Sequence, residues 1–199
     1  MNIWQAIQQL DRLVFTSREI ASLTGVSLSA VSQTLGRLEQ KRLIQKIKRG
    51  IWALTHDKRF SPYLLVPFLE PSHLCYVSFI SALHIYGIIG QIPQTITLAT
   101  TAHSKKIVTP VGVFRLHQIA PSFFKGFDWH EGRTFLIAAS EKALVDCLYL
   151  AARKGKNYAA FPELDFPSSF SKAKAREWAG EIQDPKIRKA VGKQLSVLL

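Results

Sequence analysis

The chain has 199 residues, 47% of them hydrophobic and 11% aromatic, enough for packed cores and too apolar for a disordered polyelectrolyte. Its 26 basic side chains against 14 acidic ones leave a formal charge of +12, which calls for a polyanionic partner but does not separate DNA from RNA or a membrane surface. No stretch approaches the ~20 apolar residues of a membrane span and no leader pattern opens the chain, so a cytoplasmic protein is expected.

Residues 1–59 hold ten of the basic and four of the acidic side chains. Ile3 to Leu10 reads as a short amphipathic helix, with Trp4 a core residue rather than a ligand. Thr16 followed by Glu19 has the spacing of a capping box, Ile20 and Leu23 share one face of the helix it starts, and Gly25 stops that helix. Ser27 or Ser29 then caps a second helix. On it Val31, Leu35 and Leu38 form an apolar stripe, while Ser29, Ser32, Gln33, Gly36, Arg37 and Gln40 take the opposite arc. Leu43 to Lys48 and Ile51 to Leu54 alternate as strands around Arg49-Gly50, a hairpin that carries Lys46, Lys48 and Arg49 near its tip.

A helix-turn-helix followed by a basic two-stranded wing is the reading of this region. Short hydroxyl and amide side chains suit a groove, where Gln bonds adenine edges and Ser bonds either base type, whereas an ordinary surface helix favours Lys and Glu. The sequence thus assigns double-stranded operator DNA to Ser27, Ser29, Ser32, Gln33 and Arg37, and its phosphates to Lys46, Lys48 and Arg49. A winged helix serving as a protein-interaction module is the alternative.

The polar run His56 to Pro62 marks a boundary, giving a DNA-binding domain over 1–59 and an α+β domain over 62–199. In the latter, Pro62 to Leu69 is of uncertain type. Ser78 caps a helix ending at Gly87, whose His84 reads as a core histidine. Thr95 to Thr100, Lys105 to Thr109, Gly112 to Ile119 and Arg133 to Ala139 are β-rich, with a tight turn at Pro110-Val111-Gly112. Ser140 caps a long helix, apolar nearly all round and stopping at Gly155, so it should be buried against the sheet. After an irregular aromatic loop from Asn157 to Phe170, two helices follow, Ser171 to Ile182 and Asp184 to Leu198. Lys186, Lys189 and Lys193 form a stripe on the last, a solvated face or a partner or DNA contact.

Cys75 and Cys147 read as buried reduced thiols. Enzymatic signatures are missing: the chain shows no phosphate loop, nucleophile elbow, paired metal-spaced histidines or CxxC, and neither a cofactor nor a metal is expected. Glu141 and Asp146 are the best acidic candidates, and Lys142 four residues before Asp146 makes a structural ion pair the simpler account. A nuclease delivered by the winged helix would need acids clustered with a lysine.

Four blocks carry a resemblance: YVSFISALHIYGII (Tyr76 to Ile89), QIPQTITLATT (Gln91 to Thr101), TPVGVFRLHQI (Thr109 to Ile119) and AASEKALVDCLYL (Ala138 to Leu150). Their order and spacing, with the winged helix in front, resemble the AbiEi family of antitoxins over roughly residues 5 to 155. The resemblance implies a bacterial type IV toxin-antitoxin system linked to abortive infection, in which the antitoxin represses its own operon and counteracts a nucleotidyltransferase-like toxin. A standalone winged-helix transcriptional regulator would carry the same domains.

Overall fold

The computed structural model describes residues 2–155 and 163–199 of an α+β chain, whose main division into two compact units falls between Phe68 and Leu69. The expected loop from Asn157 lies in its first part outside the described residues.

The first unit is a winged helix. Its elements are α1 (Ile3–Gln9), β1 (Val14–Thr16), α2 (Ser17–Thr24), α3 (Leu28–Gln40), β2 (Gln45–Lys48) and β3 (Ile51–Ala53), followed by a 3-10 turn and the short α4 (Val66–Leu69), whose last residue falls across the division. The Asn2 side chain caps α1 and Gln5 returns the bond. Thr16 does the same for α2: its Oγ1 accepts from the Glu19 N–H at 3.2 Å, and Glu19 Oε2 accepts from the Thr16 N–H at 2.7 Å. Gly25 ends α2 at φ +69, a left-handed conformation that a side chain would resist. Ile7, Phe15, Ile20, Val31, Leu35, Ile44 and Trp52 meet in one core, with Trp4 and Leu38 partly buried at its edge.

The wing differs from the expected hairpin in having a third strand. The sheet order is β1-β3-β2, and Val14, Phe15 and Thr16 pair antiparallel with Ala53, Trp52 and Ile51. Three residues are too few to show an alternating pattern, and their partners lie far along the chain. Strand β2 starts at Gln45 rather than Leu43, because Arg42 takes φ +57 and leaves Leu43 exposed.

The second unit holds a six-stranded mixed sheet in the order β6-β7-β5-β4-β9-β8. In chain order it contains β4 (Cys75–Val77), α5 (Phe79–Ile85), β5 (Thr95–Thr100), β6 (Lys105–Thr109), β7 (Gly112–Gln118), β8 (Phe127–Trp129), β9 (Leu136–Ala138), α6 (Ser140–Arg153), α7 (Lys172–Gly180) and α8 (Pro185–Leu198). Central β4 pairs antiparallel with β5 and parallel with β9. α6 packs against α5, α7 and α8, and ten of its fourteen residues are buried.

Several expected boundaries shift. Neither β4 nor β8 was legible, and Arg133 to Ala139 contributes only its last part as strand, after a 3-10 turn at Glu131–Arg133. Ser140 is the first residue of α6, not its cap; that position is Ala139. Ser78 stands at the head of α5, yet its side chain makes no capping bond because the hydroxyl is committed elsewhere. The last two helices follow expectation, with Ser171 and Asp184 as caps.

Candidate nucleic-acid interface

The candidate surface starts with α3. Ser27 Oγ accepts from the Ala30 N–H at 3.4 Å, which settles the choice of cap and turns its hydroxyl toward the helix end. Val31 and Leu35 are fully buried, which fixes the helix's rotation about its axis. Ser29, Ser32, Gln33, Arg37 and Gln40 consequently lie exposed on the far side. Gly36 sits amid them, and a Cβ there would meet nothing within 4 Å, so the helix backbone itself is open to close approach.

Two of these side chains have a defined hydrogen-bonding state. Ser32 Oγ donates to the Leu28 carbonyl at 2.8 Å, so its lone pairs, not its proton, face outward. Ser27 is exposed but holds the cap. Leu28, at the first turn, is an exposed apolar residue in the same neighbourhood.

The wing is locked to both helices. Trp52 Nε1–H donates to the buried Ser17 Oγ at 2.9 Å, and the Ser17 N–H donates to the Gly50 carbonyl at 2.9 Å, tying hairpin and turn to the start of α2. The Lys46 N–H donates to Glu39 Oε1 at 2.9 Å, tying β2 to the end of α3. Lys46 sits opposite Trp52 on the stem with its ammonium 5.6 Å from that ring's centre. Lys48 is half-buried and pairs with Ile51 beside the turn, and Arg49 occupies the turn itself, exposed. A register shift between Lys46 and Lys48 separates stem from tip.

Among the further exposed basic residues of this unit are Arg18 in the first turn of α2, and Lys41 and Arg42 just past α3. Sequence reading gave them no role, although a helix start and a Lys-Arg pair after a recognition helix are places where phosphates are commonly met. Burial pushes the Glu19 carboxyl up, but its bonds with Thr16 and the Arg12 guanidinium outweigh that and hold it below the ordinary range. Glu19 therefore stays ionised, as the cap needs.

The acidic candidates of the second unit occupy a different setting. Lys142 and Asp146 form a fully buried ion pair across one turn of α6. Asp146 also accepts from Ser78 Oγ at 2.7 Å and from the Tyr76 hydroxyl at 3.1 Å, and the Lys142 ammonium lies 3.9 Å from the centre of the Phe123 ring. Burial pushes Lys142 below the usual lysine range while Asp146 pulls against it, and burial drives the Tyr76 phenol well up. Glu141 accepts from the Ser171 N–H at 2.8 Å and from Ser140 Oγ at 3.1 Å. Among the described residues no three His, Cys, Asp or Glu side chains converge as metal donors would.

His84 Nδ1 lies 3.4 Å from the Ile89 carbonyl, Cys75 and Cys147 are buried and share no disulfide, and Lys186, Lys189 and Lys193 are exposed on α8. No described helix is long and apolar enough to cross a membrane.

Residues 2–61 match the family model of the Firmicute plasmid replication protein (RepL). The match spans α1 to β3, so the likeness to RepL lies in the winged helix and stops before the six-stranded sheet. No curated protein matches the chain.

Proposed function

We propose that the chain is a DNA-binding transcriptional regulator whose α3 reads the major groove of an operator while the wing rests on the adjoining backbone. The observation that carries this is the division of α3 into a core stripe and an exposed polar arc of Ser29, Ser32, Gln33 and Arg37, beside a basic turn. The RepL match supports it, since a plasmid replication protein works on DNA. In the finer reading the second unit is a type IV antitoxin. Its support is the resemblance of the four blocks, which fall on β4–α5, on β5, on the turn into β7, and on β9–α6. In that reading the second unit is a binding scaffold rather than an enzyme, and its partner is a nucleotidyltransferase-like toxin. A plasmid replication role is the second reading, favoured by the match over 2–61.

Titration of the full chain against its own promoter, a plasmid origin and random duplex tests these together. Gln33→Ala should cost about 1–3 kcal/mol on the specific site and little on random DNA. Neutralising Lys46, Lys48 and Arg49 should flatten the plot of log K against log salt by roughly 0.9 per lost phosphate contact. Equal losses from Gln33→Ala on all three DNAs would remove α3 from base reading. Preference for the origin over the promoter would favour replication, and co-expression with a neighbouring toxin tests the antitoxin arm.

A further inference from the structure

Resting on the DNA-binding reading above, we infer that Leu28 contacts thymine methyl groups and that Ser32 accepts a hydrogen bond from an adenine amino group, so that α3 selects A·T base pairs. Four large apolar side chains of the first unit are exposed, and three of them, Leu23, Val26 and Leu28, fall within six residues at the turn between α2 and α3. Isolated exposed leucines need no account, but three at one turn do. The core does not use them: Leu28 is 45% exposed, whereas Val31 and Leu35 on the same helix are at 0%.

Helical geometry sets Leu28 beside Ser32, one turn apart on one face, with Ser29 and Gln33 as the next pair round the arc. The major groove offers one feature that an aliphatic side chain can recognise, the C5 methyl of thymine. In the same base pair adenine offers an amino donor. Ser32 matches that donor because its proton is already given to the Leu28 carbonyl, which leaves an acceptor facing out. An unbonded serine reads either base type; this bond removes half the choice. A cytosine amino group would satisfy Ser32 as well, but a G·C pair gives Leu28 no methyl to cover. Apolar contact and fixed acceptor together fit A·T and no other pair.

The test selects duplexes from a randomised double-stranded library with the full-length chain, then resynthesises the recovered site with deoxyuridine replacing thymidine one position at a time. Uracil differs from thymine by the methyl alone. For the unmodified chain, substitution at one or two positions should weaken binding about threefold to fivefold, the expected effect of exposing one buried methyl. Leu28→Ala should bind thymine and uracil duplexes equally, and Leu28→Met, which keeps apolar reach, should retain the discrimination. Recovered sites without a recurrent A·T pair, uracil duplexes bound as tightly as thymine ones, or a Leu28→Ala chain that still discriminates would each overturn the inference while leaving salt-dependent DNA binding intact. Equal weakening on both duplexes with loss of a sedimenting dimer would overturn it in favour of self-association through this turn. Failure to recover any DNA would overturn the binding reading itself, and the inference with it.

Discussion

Helices α3 and α6 are nearly equal in length, thirteen and fourteen residues, yet α3 buries two residues and α6 buries ten. Both carry charge. On α3 Arg37 points to solvent, whereas on α6 Lys142 and Asp146 are sealed inside with Tyr76 and Ser78 closing their bonds. The contrast teaches where a substitution will register. A change on the outer arc of α3 leaves the buried Val31 and Leu35 in place, so it should appear chiefly in binding; a change inside α6 unbalances a buried charge, so it should appear in stability.

The largest expected effect lies in α6. Lys142→Met leaves Asp146 buried without its counter-charge and should cost about 3–5 kcal/mol, read from the urea midpoint, while folded molecules bind DNA as before. Replacing Asp146 by Leu in the same chain should recover much of that loss. If Lys142→Met were silent in denaturation, the distinction between the two helices would fail. A smaller effect is expected where stability and binding meet. Trp52→Phe strands the buried Ser17 hydroxyl and should cost about 1–3 kcal/mol, and it should also weaken binding because β3 is no longer held to the start of α2. Unchanged affinity in that variant would show that the wing's position does not depend on the bond.

The smallest effect is graded with pH. Burial, then Lys154 and Arg115, pushes His117 on β7 down to about 4, so the unfolded chain takes up a proton that the folded chain refuses. Stability should be complete above about pH 6.5 and decline as the pH falls toward 4, by at most ~1.4 kcal/mol per unit. His117→Phe, which keeps a ring beside Phe79, should remove this decline. DNA affinity should not follow the same curve, since Ser29, Ser32 and Gln33 have no imidazole or carboxylate. Identical acid sensitivity in binding and unfolding would blur the two regions together.

What was legible in the sequence follows the range of the signal. The Thr16 to Glu19 cap, Gly25 and the polar arc of α3 are set by neighbours within a turn or two, and the structure holds them as expected. The Lys142 to Asp146 pair, four residues apart, was readable for the same reason. Strand β1 escaped because its partner, β3, lies beyond two helices. Strand β4 escaped because Cys75, Tyr76 and Val77 are buried on both faces and blend into the apolar run of α5. Ser78 looked like a helix cap because a sequence cannot show that Asp146 competes for its hydroxyl. The state of Ser32, donor spent and acceptor exposed, is likewise a matter of geometry rather than residue type.

Gly126 shows how tightly the second unit is closed: at φ +78, a Cβ there would come within 2.7 Å of Trp178 and 3.1 Å of Lys142.

The place of β4 in the middle of its sheet also has a kinetic meaning. Its antiparallel neighbour β5 follows within about twenty residues, but its parallel neighbour enters only with the Val77 to Ile137 pairing. On the ribosome one flank of β4 therefore stays unsatisfied while some sixty more residues are made. Nascent chains of this protein should expose a short apolar strand edge throughout that interval, and crowded or slow synthesis should divert them toward aggregation at Cys75–Val77 rather than at the lysine-bearing outer strand β6.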